Sequence, residues 1–588
     1  MLHRARLVVF IGLVGFGICP AIYAQSSNKA SSETECDLKV DLNDKDISKP
    51  RNTEPISSPE ENVRQVNQQA TINAININVN QIFDESDPKE NNWLFRLANR
   101  LHITTRPEVI RDDLLFEENT PLNQTLVDTS ERTLNTRRYL NQASIDTVYS
   151  PCSNQADIDV SVRDVWTLKP KIGFSRSGGN SNSSYGFEDS NFLGTGKAVS
   201  LMHFSNELRS GSVLDYHDPN TGAYNSQLRL RYSDNDDGIE KRITLNRPFL
   251  DLSTKWTGEI NHDDTIMSES NYIAGEEVAS FDHQKTLNSI YYGRRIEELS
   301  EDNQFARRLI LGISKEEDEF SENNDSLSAV ALPENRSDDS LWIEYQNIHD
   351  GFIKTTNVQQ INRAEYFNLG NQFRARFGYA ASNIDGPDDG YIIQAENSVG
   401  TMLGDKHMIL HNISFNGRYT DHGLVDSVFE TAVSWYWKNI SNGQFLTQLS
   451  GMKGYNLYED HNIVLGGDTG LRGYPSHFQS GDRKILFTME QHFFGEREWF
   501  SLFHAGAAVF FDAGRAWGDN LNDPSLAVSE KDRGWIKDVG LGLRFSPTRT
   551  GNKEEGSHGI LHVDLVKPLD RSDGISNYQW RITTEKRF

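Results

Sequence analysis

The sequence predicts a transmembrane antiparallel β-barrel preceded by one small α+β domain. Three observations carry that expectation. The chain opens with an export signal, no later stretch is apolar for long enough to cross a bilayer as a helix, and apolar and polar residues alternate from Trp166 to the end. Only helices and closed barrels satisfy their backbone groups within lipid, which leaves an exported soluble protein or a barrel.

The export signal is read from its three parts. His3, Arg4 and Arg6 precede an apolar run from Leu7 to Ile18, and Pro20 to Ala24 end in small residues. A basic start, about a dozen apolar residues and a small residue before the cut describe a secretory signal peptide, here residues 1–24. A spanning helix would need about 20 apolar residues. Residues 25–70 are rich in Ser, Asn, Asp, Glu, Lys and Gln and read as a disordered tail or linker, because they cannot bury enough apolar area to offset their ordering entropy. Cys36 in that tail and Cys152 remain after cleavage, and an oxidising compartment permits a bridge between them.

From Ile72 the pattern changes. Ile75, Ile77 and Val79 alternate with Asn76, Asn78 and Asn80 in a strand ending at Phe83. Trp93 to Ala98 and Pro107 to Phe116 have helical character, and a longer amphipathic helix spans Leu122 to Asn141. Ile145 to Tyr149 and Ile158 to Val165 read as two further strands. Residues 71–164 therefore form one small domain of order strand, helix, helix, strand, strand.

Residues 165–588 have one character. Phe373, Ala375, Phe377 and Tyr379 alternate with Gln372, Arg374, Arg376 and Gly378, and Leu228, Leu230 and Tyr232 with Gln227, Arg229 and Arg231. Period two gives each strand one apolar and one polar face. A soluble sandwich would bury its apolar faces in pairs, but this sheet is far longer than a typical sandwich and carries arginines on the polar face. A barrel with lipid outside and a polar lumen inside explains both. Asp237-Gly238, Asn220-Thr221-Gly222 and Asp389-Gly390 supply turns, Ser314 to Asp339 reads as a long acidic loop, and 15–20 strands fit the length. Trp435, Tyr436, Trp437, Trp499 and Phe500 read as the aromatic girdle at the membrane interface.

Composition agrees. Counted with glycine and without tyrosine, about 40% of the 588 residues are apolar, below the roughly 45–50% of ordinary globular chains. With 59 basic against 84 acidic residues the formal charge is −25, and no basic tract interrupts it. Nucleic acid is excluded as a ligand, since binding requires clustered Lys and Arg to neutralise phosphates.

Two segments stand out. One is Asn191-Phe192-Leu193-Gly194-Thr195-Gly196. The other runs from Gly467 to Pro475 through Gly470-Leu471-Arg472-Gly473-Tyr474 and is followed by Glu490, then by Phe510-Phe511-Asp512-Ala513-Gly514 and a terminal Phe588. With these motifs the chain resembles the outer-membrane insertase and two-partner secretion superfamily, also called the bacterial surface antigen family. The resemblance covers 71–588. It implies a 16-stranded barrel in the outer membrane of a Gram-negative bacterium, with a periplasmic POTRA domain at 71–164. It implies a loop entering the lumen so that Arg472 meets Glu490 and Asp512 on the wall beside Gly514, with Phe588 as the barrel-assembly signal. Two-partner transporters of the family usually carry two POTRA domains and a plug helix, whereas one domain and no such helix are legible here.

The function this implies is handling other polypeptides, by assembly, insertion or translocation. The POTRA edge would capture an extended client, and the first and last barrel strands would part to template it. The partners implied are outer-membrane lipid, an unfolded or secreted protein client and periplasmic chaperones. A passive channel and a lipid or polysaccharide exporter are the competing classes. No catalytic or metal site is expected and no cofactor. Gly194-Thr195-Gly196-Lys197 lacks the first glycine and the Ser or Thr of a P-loop and reads as a tight strand turn. Asp234, Asp236 and Asp237 lack the spacing and closing Glu of a calcium loop, and the histidines form no His-Glu-x-x-His pattern.

Overall fold

The computed structural model describes residues 70–583, apart from short stretches of which the longest are 324–331, 519–533 and 549–559. The signal peptide, the tail, Cys36, Cys152 and Phe588 lie outside the described residues.

The N-terminal domain begins with strand β1 (Thr71–Asn80), continues through helices α1 (Trp93–Leu101), α2 (Pro107–Asp112) and α3 (Gln124–Thr136), and ends in β2 (Leu140–Tyr149) and β3 (Gln155–Asp164). Helix α3 is shorter than the predicted Leu122–Asn141. Asn123 caps its start by accepting from the Thr125 N–H, and the chain turns extended at Arg137, so Leu140 already belongs to β2. Sheet order is β1-β3-β2, with β1 parallel and β2 antiparallel to β3. Its core is Ile72, Ile75, Ile145, Ile158, Val160 and Val162 of the sheet, closed by Ile110, Val127 and Leu134 of the helices, and a register shift after Ile72 brings it to the same face as Ile75.

Among the described residues the remainder forms one closed antiparallel barrel of 20 strands, with two short hairpins inside it. The resemblance implied 16; the structure corrects that count. Six strands between Leu168 and Arg247 are only 8–10 residues long and joined by short turns, so a modest length of chain supplies many crossings. Alternation identifies such segments as strands without counting the turns between them. Strands between Trp256 and Glu322 run to 18–20 residues, so one flank of the barrel stands much taller than the other. The predicted acidic loop at Ser314–Asp339 is strand at both ends, Phe305–Glu322 and Arg336–His349. Its charges alternate and are used: His283 lies 2.9 Å from Asp318, while Lys285 pairs with Glu316.

The last strand, Gln579–Thr583, lies beside the first, Leu168–Ser177, where Phe174 and Trp580 stack at 5.2 Å between ring centroids. Phe187, Leu201, Leu341 and Leu541 point outward and are well exposed, while Glu188, Glu344, Asp512, Asp538 and Asp564 are buried on the inside. An apolar exterior around a charged interior is the pattern a bilayer solvates. Trp435 and Trp437 stack on the outer face at the end of their strand. Tyr436 does not join that girdle. Alternation turns it inward, where its hydroxyl accepts from Gln359 at 3.3 Å.

Candidate functional site

Two segments fold into the lumen from opposite ends. An even number of antiparallel strands puts the N-terminal domain and the chain end on one rim, and the hairpin Phe352–Thr356/Ala364–Asn368 enters from that rim. The loop 456–482 enters from the other, carrying the short pair Ile463–Leu465 and Gln479–Gly481.

The tip of the loop brings together the residues singled out in the sequence. Gly470 has φ 125° and Leu471 φ 46°, a path that turns Leu471 down into a cluster with Leu465, Tyr474, Phe478, Ala516 and Ile536. Gly514 makes room for it. A Cβ there would stand 3.1 Å from Leu465 and 3.2 Å from Leu471. Arg472 is 1% exposed, the largest fully buried side chain described. Its guanidinium pairs with Glu490, approaches Asp512 through Nε at 3.1 Å and lies 3.6 Å above the Phe510 ring. Arginine suits this place because one planar fork can serve two carboxylates, where lysine offers a point charge. The Gly473 N–H donates to Asp538 at 2.8 Å, and the Tyr474 hydroxyl sits 2.9 Å from the carbonyls of Lys537 and Asp570.

The wall contributes groups that the motif reading did not include. His492 reaches Glu490 at 2.8 Å, Arg544 reaches Asp564 at 2.5 Å, and Arg581 of the last strand reaches Asp468 of the loop at 2.5 Å. Asp538 and Arg544 could have been found by carrying inward parity along Ile536–Pro547, where they share a face with Gly540 and Gly542. A second anchor had no local signal. Arg336 holds Asp460, near the outer root of the loop, through two bonds of 2.8 and 2.7 Å between the Phe320 and Tyr458 rings. His461 joins it by binding Asp426 at 2.7 Å.

The segment Asn191–Gly196 is the tight turn expected, and it has a second role as the socket for the N-terminal domain. Gly194 and Gly196 have φ of 71° and 72°, and a Cβ on Gly194 would stand 2.5 Å from the Thr104 carbonyl. The Asn191 carboxamide accepts from the Gly196 N–H at 2.6 Å and donates to the Thr105 hydroxyl at 2.7 Å. Thr105 in turn donates its N–H and hydroxyl to the buried Asp164. Glu188, next to this turn, pairs with Arg138 of the domain and Lys171 of the barrel. Phe192 and Leu193 instead face outward. Below the socket Tyr139 donates to Asp113 at 3.0 Å; burial, reinforced by that carboxylate, holds its phenol well above the ordinary range.

Between loop, hairpin and domain lies a cavity of about 1550 Å³. Gln360, Glu365, Glu396, Asn412, Glu430 and Arg472 are among the side chains lining it. No group of three or more His, Cys, Asp or Glu with metal-binding geometry occurs among the described residues.

No protein-family model and no curated protein matches the chain. Among solved structures it is similar to BamA from Haemophilus ducreyi lacking POTRA domains 1–3, at 13% identity and a TM-score of 0.37, over 87% of this chain and 84% of that one. It is similar to CdiB from Acinetobacter baumannii, at 12% identity and 0.39, over 88% and 73%. It is similar also to CdiB from Escherichia coli, at 11% identity and 0.44, over 88% and 77%. Identities this low with TM-scores below 0.5 define no kinship.

Proposed function

We propose that this chain is an outer-membrane barrel of a Gram-negative bacterium that assembles, inserts or translocates other polypeptides. The observation that carries the reading is the buried clasp of Arg472 on Glu490 and Asp512. A loop fixed by buried charge to the wall, with a hairpin at the opposite end, obstructs the lumen and favours this reading over an open pore. Residues 71–164 act as a POTRA-like periplasmic domain that captures clients by adding a strand to its sheet. On β2 the Asn135 side chain meets both the N–H and the carbonyl of Ala143, and Glu131 accepts from the Ile145 N–H. That narrows the receptive edge to Thr147–Tyr149, beside the exposed Val148. The client strand is then templated at the join of Leu168–Ser177 with Gln579–Thr583, because an opened sheet edge pairs readily with another strand. The chain works without a cofactor and is not an enzyme. Its partners are outer-membrane lipid, an unfolded or secreted client and periplasmic chaperones.

The test is reconstitution of the full chain into liposomes, offered an unfolded barrel client in one arm and a fluorescent dextran in the other. Client folding or uptake by the wild type, lost in Arg472→Ala, is the expected outcome. Dextran passage without any client handling would establish the alternative, a passive channel or polysaccharide exporter.

A further inference from the structure

Helix α1 turns an apolar arc away from its own domain. At 3.6 residues per turn, Trp93, Leu94, Leu97 and Leu101 fall within about 100° of one another. All four are exposed, Trp93 by 70% and Leu101 by 63%. The opposite side holds the helix in place. Phe95 stacks on Phe83 at 4.0 Å, Ala98 packs against the same cluster, and Asn99 bonds both the N–H and the carbonyl of Phe83. The arc is therefore surplus to the domain core.

Charge and position say what covers it. Arg96 and Arg100 lie along the Trp93 edge of the arc, and Arg106 follows. No acidic residue occurs between Asn91 and Pro107, in a chain with 84 of them. The carboxylates before the helix are engaged locally: Asp84 with Ser86, Glu90 with the Asp84 N–H and Glu85 with Asn99. Beyond the helix the Arg106 N–H donates to the Gly194 carbonyl at 3.0 Å, and Ile103 and Thr104 pack against Gly194 at the barrel rim. Phe192 and Leu193 of that turn are exposed, and the strands on either side carry Phe187 and Leu201 on the lipid-facing wall. Apolar surface thus runs from the wall through Leu193 and Ile103 to Leu101, Leu97 and Trp93.

The geometry points to α1 as a membrane-surface helix. It lies on the periplasmic leaflet with its apolar side chains at the boundary of headgroups and acyl chains, and Arg96 and Arg100 meet lipid phosphates. Tryptophan and leucine on one side with arginines beside them is the composition of an interfacial helix, and the long arginine stems reach headgroups while the chain below stays in the apolar layer. The domain is then oriented twice, by the Asn191 socket and by lipid. The inference rests on the barrel spanning a bilayer.

The experiment compares the full wild-type chain with Trp93→Phe in phosphatidylethanolamine–phosphatidylglycerol vesicles, so that the difference emission belongs to Trp93. Quenching of that emission by lipids brominated on their acyl chains, with protection from aqueous iodide, is the expected result. Quenching by iodide instead would show the arc open to water, and protection from both would show it covered by protein, whether residues 25–69 or a second copy; either overturns the proposal. Trp437 and Trp580 on the outer wall serve as the control. If they are quenched by brominated lipid and Trp93 is not, the helix assignment falls and the barrel stands. If none is quenched, both fall.

Discussion

The two segments inside the lumen are held by different balances of chemistry, since the loop adds buried ion pairs to its apolar cluster and the hairpin does not. The loop 456–482 is tied by charge: Arg472 to Glu490 and Asp512, Asp460 to Arg336, and Asp468 to Arg581. The hairpin 352–368 is tied by apolar contact and neutral hydrogen bonds. Val358 packs among Met408, Tyr436 and Leu446, its carbonyl accepts from Gln444 at 3.0 Å, Glu365 accepts from the N–H groups of Val358 and Gln359, and Lys438 donates to the Thr355 hydroxyl, with no buried ion pair across the hairpin's core among the described residues. Buried ion pairs repay their desolvation only while every partner is present, so loss of one leaves an uncompensated charge. Apolar packing instead fails by degrees, in proportion to the cavity left. The outer loop is therefore built as an all-or-none clasp and the inner hairpin as a graded plug.

That contrast breaks most sharply at Arg472. Arg472→Ala strips the buried Asp512 of its arginine and leaves Glu490 with only His492 and the more distant Arg544, and should cost about 3–5 kcal/mol in loop seating. We expect the loop to become open to protease while the barrel keeps its heat-modifiable gel mobility, and Arg472→Lys to restore little. Unchanged loop protection in Arg472→Ala would remove the clasp from the mechanism. Replacing the ions together, as Arg472→Met with Glu490→Gln and Asp512→Asn, should recover much of that loss, because no charge is stranded. A triple variant worse than Arg472→Ala would show that shape, not charge balance, holds the tip.

Arg336→Ala comes next, at about 3 kcal/mol, since Asp460 loses a buried bidentate partner while His461 keeps its bond to Asp426. Hydrogen exchange should rise near residues 456–462 and stay low around Arg472; a rise of equal size at both places would merge the two anchors into one. The smallest effects belong to the hairpin. Ile361→Val should cost about 0.5–1.5 kcal/mol, and Tyr436→Phe, which removes the acceptor of Gln359, about 1 kcal/mol. Cleavage rates at the hairpin should rise in graded steps, and an abrupt release by either change would contradict a graded plug.

The path of the outer loop left a mark in the sequence and the inner plug did not, for a physical reason, while the carboxylates that meet Arg472 were implied only by the resemblance. A loop path with φ above zero requires glycine or strains other residues, so Gly470 and its neighbours leave a mark in the chain. Val358 looks like any surface-loop aliphatic, because its partners Met408, Tyr436 and Leu446 lie 50 or more positions away and carry no matching pattern. The same division holds for the scaffold. Period two determined that most residues beyond Trp166 are strands and which side chains share a face, since alternation is a property of each strand alone. The number of strands, 20 instead of 16, followed from where the short crossings turn back and how the ring closes. The sequence by itself also determined Asn191–Gly196 as a turn, through glycines that permit left-handed backbone. That this turn receives Thr105, itself held by Asp164, was decided only by the tertiary structure, because the bonds join groups 59 and 86 positions apart and the second exists only after both domains have folded.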